Sequence, residues 1–185
     1  MNEEWPDTVG DMGDERLDGT GRFLSSAELR AWTGLLDTAR ILDAELERDL
    51  VADHAMTHRE YEVLVRLDGH GGSMRMTALA AQIEASSPLV SQTVARLEAR
   101  AWVERRRSEE DGRGVEAYLT VEGSAALRVA AEPHAAIVRA LLTDALGADL
   151  DQVGEALTRV ATHLREHRRG EHCGDAGCPL SPDRE

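Results

Sequence analysis

The chain has 185 residues, which suggests one domain, or one domain with a small appendage, and is long enough to bury a real core. Hydrophobic residues make up 42 %, no apolar run approaches the length needed to span a bilayer, and no signal-peptide pattern opens the chain, so a cytoplasmic location is expected. Only two cysteines are present, both near the C-terminus, which speaks against a disulfide framework.

A net charge of −14 taken alone disfavours nucleic acid, but its distribution matters more than its sum. Glu3, Glu4, Asp7, Asp11, Asp14, Glu15 and Asp18 meet only Arg16 and Arg22 before Phe23. Arg96, Arg100, Arg105, Arg106 and Arg107, by contrast, meet only Glu98 and Glu104. The basic charge is local, and no lysine occurs anywhere.

Residues 1–23, with Trp5 and Phe23 as their only aromatics, read as a mobile acidic arm; a short helix around Trp5 docked on the core is the alternative. Ser25-Ser26-Ala27-Glu28 is a capping box with Leu24 and Leu29 as its staple. Trp32, Leu35, Leu36, Ala39, Leu42, Leu46 and Leu50 follow at helical spacing, predicting a helix of about 25 residues, a length that often packs on a partner chain. Thr57-His58-Arg59-Glu60 is a second capping box. It opens a second helix marked by Tyr61, Leu64 and Val65 and ended by Asp68-Gly69-His70-Gly71-Gly72.

Met76, Leu79, Ala80 and Ile83 form the apolar face of a short third helix, and Glu84 to Ser87 make a brief turn. Ser87 then caps a fourth helix with Pro88 at its first position. Val90, Val94, Leu97 and Ala101 share its buried face. The outer face holds Pro88, Ser91, Gln92, Ala95 and Ala99, flanked by Arg96; it is short, polar and nearly free of acids. Taken alone this could be an ordinary surface helix, but two short helices joined by so tight a turn match a helix-turn-helix. Trp102 to Arg107 and Val115 to Leu119 are predicted strands joined by a polar loop: a β-hairpin wing. Alternation predicts that one of Arg105, Arg106 and Arg107 points inward.

Thr120 caps a fifth helix, which Pro133 should bend or interrupt and Gly147 ends. Asp149-Leu150-Asp151-Gln152 opens a sixth, lined by Val153, Leu157, Val160 and Leu164. The fold expected is mainly α with a small β-hairpin wing: a winged helix-turn-helix lobe plus a helical dimerisation region. Its parts are an arm at 1–23, a dimerisation helix at 24–55, the DNA-binding lobe at 56–119, further dimerisation helices at 120–166 and a flexible tail at 167–185.

This order resembles the MarR family of winged-helix transcription regulators over about residues 25–166. The resemblance is carried by Met76-Thr77-Ala78-Leu79-Ala80, by Val90 to Glu98, by Val103-Glu104-Arg105 and by Glu110-Asp111-Gly112-Arg113-Gly114-Val115. Asp111 and Arg113 look like the family's wing signature, in which the arginine enters the minor groove and the acid helps hold the wing. Ala101 departs from the pattern, since many relatives carry glycine there. The resemblance implies a homodimer that interleaves its first, fifth and sixth helices. It also implies a small effector, often an aromatic acid, bound between those helices and the lobe; Trp32, His54, His58 and Arg59 are candidates to line that pocket.

The function expected is a sequence-specific double-stranded DNA-binding regulator, a repressor released by an effector, on a near-palindromic operator. Ser87, Ser91, Gln92 and Arg96 would face the major groove, with Gln92 pairing with adenine and Arg96 reading guanine or holding phosphate. Thr77 would donate to phosphate, Arg105, Arg106 and Arg107 would hold the backbone, and Arg113 would take the minor groove beside Asp111. Two alternatives stay open. One is a metal or redox sensor built on His163, His167, His172, Cys173 and Cys178, although their spacing is loose and no metal or cofactor is assigned. The other is a winged helix used on protein. An enzyme is disfavoured, because the chain has no Gly-rich phosphate loop, nucleophile elbow or HExxH.

Overall fold

The computed structural model describes residues 24–108 and 114–175, with side chains through Arg168. The chain divides into two compact units, residues 1–44 and 45–185. Helix α1 runs Ser26–His54. In the first unit, Glu28 accepts from the Ser25 amide at 2.8 Å, and its own amide donates to Ser25 Oγ at 3.3 Å, so the predicted capping box forms. These hydrogen bonds hold the Glu28 carboxyl below its usual range. Trp32, Leu35 and Ile41 are exposed along this helix.

In the second unit α2 spans His58–Gly69, capped by Thr57 and Glu60 in a reciprocal box, as the sequence predicts. A strand the sequence reading did not foresee, β1 (Ser73–Arg75), leads directly into α3 (Met76–Gln82). Then come α4 (Ser87–Ala99), β2 (Val103–Arg107), β3 (Val115–Leu119) and α5 (Val121–Val138). The wing is therefore not a lone hairpin. β3 lies between β1 and β2 in a three-stranded antiparallel sheet. Met74 faces Ala117 on one side, and Arg105 faces Ala117 on the other. Three residues give too short a period to be read as a strand, and the pairing that stabilises β1, Ser73 with Tyr118 through Arg75 with Glu116, comes from far along the chain.

One core joins these elements. Leu50 from α1, Leu64 and Leu67 from α2, Leu79 from α3, Val90, Val94 and Leu97 from α4, and Val103 from β2 are buried together. Each such side chain contributes about 1.5–3 kcal/mol through burial, which fixes the orientation of α4 on its apolar face. Gly123 sits where α5 meets the turn after α4. A Cβ there would lie 2.1 Å from the Trp102 carbonyl oxygen, so only glycine permits this approach.

Four expectations need correction. The fourth helix is capped at Ser86, so Ser87 is its first residue and Pro88 its second; the Ser86 side chain makes no capping bond. Ala101 does not share the buried face of α4, because the helix stops at Ala99 and Ala101 is exposed with φ of 57°. Pro133 does not interrupt α5, which continues to Val138 and on through a π-helical turn at Arg139–Thr143. The carbonyl that Pro133 leaves without a helical partner belongs to Val129, which is exposed and open to water. Gly147 breaks the helix with φ of 51° before the last one, α6 (Leu150–Asp175). That helix runs past residue 166, into the segment expected to be a flexible tail; no proline interrupts the sequence before Pro179. Among the described residues no helix is long and apolar enough to cross a membrane.

Candidate nucleic-acid interface

Helix α4 presents Ser87, Ser91 and Gln92 to solvent, opposite Val90, Val94 and Leu97. The 3.6-residue period puts these polar side chains on one stripe once the apolar ones are buried. No side chain of the described residues hydrogen-bonds the Gln92 amide, so both its donor and its acceptor are available. Ser87 and Ser91 share a crevice of about 270 Å³ with Met76 and Thr77 from α3, and with Arg105 and Val115 from the sheet. Thr77 is exposed at the second position of α3. The structure therefore brings together Thr77, Ser87, Ser91, Gln92 and Arg105 on one surface.

The arginines are more committed than their sequence suggests. Arg96 does not stand on that surface as expected. It turns toward α2, where its Nε donates to Glu60 Oε1 at 2.9 Å. Glu60 is 6 % exposed, while the Arg96 side chain is 45 % exposed. The same carboxylate completes the α2 capping box and lies 3.8 Å from Arg100 Nη1. Arg100 in turn donates to the Ala55 carbonyl at 2.6 Å and lies over the Trp102 ring, 3.5 Å from its centroid. The sequence shows Glu60 as a cap; nothing in a capping motif says that two arginines from a helix 36 residues on will share it.

All three wing arginines are exposed, so alternation does not bury one of them. Arg105 instead leans on α4, its Nε donating to Glu98 Oε2 at 2.9 Å. That bond is the main cause of the lowered Glu98 pKa. Arg106 donates to Glu104 at 2.7 Å and lies 4.7 Å from the centroid of the Tyr118 ring. The Arg107 guanidinium has no hydrogen-bond or ion-pair partner among the described residues. Exposed pairs of this kind contribute about 0–1 kcal/mol, so a phosphate can replace the carboxylate at little cost.

A polar network that sequence reasoning missed braces the wing at the loop end of its strands. The buried Ser108 hydroxyl donates to Glu116 Oε1 at 2.7 Å and accepts from Arg75 Nη2 at 3.4 Å. The Tyr118 hydroxyl donates to Glu116 Oε2 at 2.8 Å. The Ser108 amide closes the hairpin on the Gly114 carbonyl at 2.9 Å. Asp111 and Arg113 lie outside the described residues.

Of the residues expected to line an effector pocket, Trp32 lies in the first unit, where it is exposed. His54, His58 and Arg59 lie in the second, half-buried at the corner between α1 and α2. There the His134 ring from α5 stacks against Tyr61, with centroids 4.3 Å apart, and lies 5.7 Å from His58. Among the described residues, the buried atoms Asp49 Oδ2, His54 Nε2 and His134 Nδ1 have no hydrogen-bond partner. His163 and His167 are exposed on α6. The side chains of His172 and Cys173, and all of Cys178, lie outside the described residues. Among the described residues no group of three or more His, Cys, Asp and Glu is placed to hold a metal ion.

A polar helix face beside an arginine-bearing antiparallel sheet, carried on a helix-turn-helix, defines a winged-helix DNA-binding protein. The family model of the MarR family matches residues 55–114. AbsC from Streptomyces coelicolor, a MarR family transcriptional regulator, is 36 % identical over 79 % of this chain and 99 % of its own, with a TM-score of 0.74. Sco3205 from the same organism, solved in complex with DNA, is 32 % identical over 78 % of this chain and 91 % of its own, with a TM-score of 0.72. MarR from E. coli in its apo form shares the fold at 20 % identity and a TM-score of 0.58, over 76 % of this chain and 98 % of its own. No curated protein sequence matches the chain. The chain belongs to the MarR family: it is a DNA-binding transcription regulator and not an enzyme.

Proposed function

We propose that the chain is a homodimeric repressor that reads a near-palindromic operator and is released by a small effector. The observation that carries the reading is the exposed Gln92 amide, without a side-chain partner among the described residues, beside Ser91 and Ser87 on an acid-poor stripe of α4. Such an amide pairs bidentately with adenine N6 and N7 in the major groove. Thr77 and Arg105, Arg106 and Arg107 hold phosphates, and Arg113 with Asp111 serves the minor groove. Arg96 is reassigned: it braces α4 through Glu60. That Sco3205, 32 % identical, has been solved in complex with DNA supports the same partner here.

Dimerisation is supported by apolar side chains left in water. Leu157, Val160 and Leu164 on α6, Val121 and Val129 on α5, and Trp32 and Leu35 on α1 are all exposed. Stripes of this length on three helices cost stability unless another surface covers them. The interleaving partner is a second copy, whose twofold symmetry sets two half-sites about one helical turn apart. We place the effector against His54 and His134, whose orphaned ring nitrogens offer hydrogen bonds that the fold does not use. A small aromatic acid suits the imidazoles. We infer that the protein acts in the cytoplasm, where its DNA target would lie.

The test is an electrophoretic shift on the DNA upstream of the chain's own coding sequence, with and without small aromatic acids. Gln92→Ala should lower discrimination between operator and mismatched duplex by about 1–3 kcal/mol per half-site contact. Arg107→Ala should weaken binding to every sequence and flatten its salt dependence. Variants that bind and discriminate like the parent contradict this assignment of the reading face.

A further inference from the structure

Near its C-terminal end, α6 reaches the helix-turn-helix. Arg165 Nε donates to Glu84 Oε1 at 2.8 Å, and Arg168 pairs with the other oxygen of the same carboxylate. Both arginine side chains remain more than half exposed, at 53 % and 59 %. These bonds lower the Glu84 pKa, with the Arg165 hydrogen bond foremost.

Two features set this contact apart from an ordinary surface pair. Glu84 has φ of 55°, in the left-handed region, at the position that ends α3; the matching position after α2 is Gly71, with φ of 76°. A non-glycine residue there costs about 1 kcal/mol, so the carboxylate is kept against the backbone preference. Arg168 also shares a crevice with Ser86 and with Thr77 and Ser87, two side chains of the surface assigned above to DNA. The two guanidiniums are thus held on one carboxylate beside the start of α4.

We propose that Arg165 and Arg168 form a phosphate-binding element on α6, held beside the start of α4 by Glu84 as a positioning residue. Its partner is the backbone of double-stranded DNA next to the segment read by α4, so the proposal rests on the DNA-binding reading above. The guanidiniums exchange part of their contact with Glu84 for phosphate oxygens. The pair adds affinity without adding sequence preference.

The test is the salt dependence of binding to a mixed-sequence duplex of about 40 base pairs, long enough for two half-sites and their flanks. Replacing Arg165→Gln and Arg168→Gln together keeps hydrogen-bond donors for Glu84 but removes the charge. The slope of log K against log salt should fall by about 2 or more per dimer, with binding at least roughly tenfold weaker at 0.15 M salt. The double change to lysine should restore most of the slope. Arg107→Ala, in the same titration, reports on the wing alone. If the glutamine pair keeps the parent's slope while Arg107→Ala loses part of it, the α6 element is wrong and the DNA-binding reading stands. If the parent chain binds no duplex, both fall. Should the glutamine pair lower the melting temperature, the alanine pair measured well below it must show the same loss of slope; an unchanged slope there overturns the proposal.

Discussion

Ala101 occupies a place that favours glycine. Its amide donates to the Glu98 carbonyl at 2.9 Å, and the Trp102 amide donates to Leu97 at 3.0 Å. This paired termination needs a left-handed residue, which Ala101 supplies with φ of 57°. The residue carries Cβ strain for no contact in return, since its side chain is exposed. Ala101→Gly should therefore stabilise the fold by about 0.5–1 kcal/mol, net of the entropy glycine adds to the unfolded chain, read as a higher urea midpoint with unchanged m. Glu84 occupies the equivalent position after α3, but there the side chain has partners.

At the scale of the element, Glu60 shows how helices α2 and α4 are fixed to each other. Its carboxylate satisfies the start of α2 and receives Arg96 from α4. Glu60→Ala removes a cap and leaves a half-exposed arginine to water. The expected loss is about 2 kcal/mol, and a double-mutant cycle with Arg96→Ala should show coupling of at least about 0.5 kcal/mol. Half of this element was legible in the sequence. A capping box is local and declares itself in four residues, as do the apolar spacings that placed α1 to α6. The bond from Arg96 to Glu60, the strand β1 and the Ser108 and Glu116 brace join residues far apart in the chain, and no local period announces them. The reading face of α4 was legible at Ser91 and Gln92 because burial of Val90 and Val94 fixes the opposite side. Arg96 lies at the edge of that face, where helical phase alone does not decide which way a long side chain turns.

The whole molecule carries a pH term at the junction of α1, α2 and α5. Burial lowers the His134 pKa from 6.5; the nearby His58 lowers it further and Asp49 opposes. A depressed histidine favours the neutral form in the folded state. Its contribution is thus fully present above about pH 6.5 and is lost as pH falls through the lowered folded value. Stability measured by denaturant should decline from about pH 6.5 downward, and His134→Gln should flatten that part of the profile; an unchanged profile contradicts the burial argument. Because His134 packs on Tyr61 and its Nδ1 lacks a partner, an effector bound there should also shift this profile.

The most direct measurement selects preferred sites from a pool of random duplexes, using the parent and Gln92→Ala chains side by side. The account predicts a twofold-symmetric motif for the parent, and for the variant the same motif with preference lost at one position in each half. A motif without symmetry, or one that Gln92→Ala leaves unchanged, would contradict it.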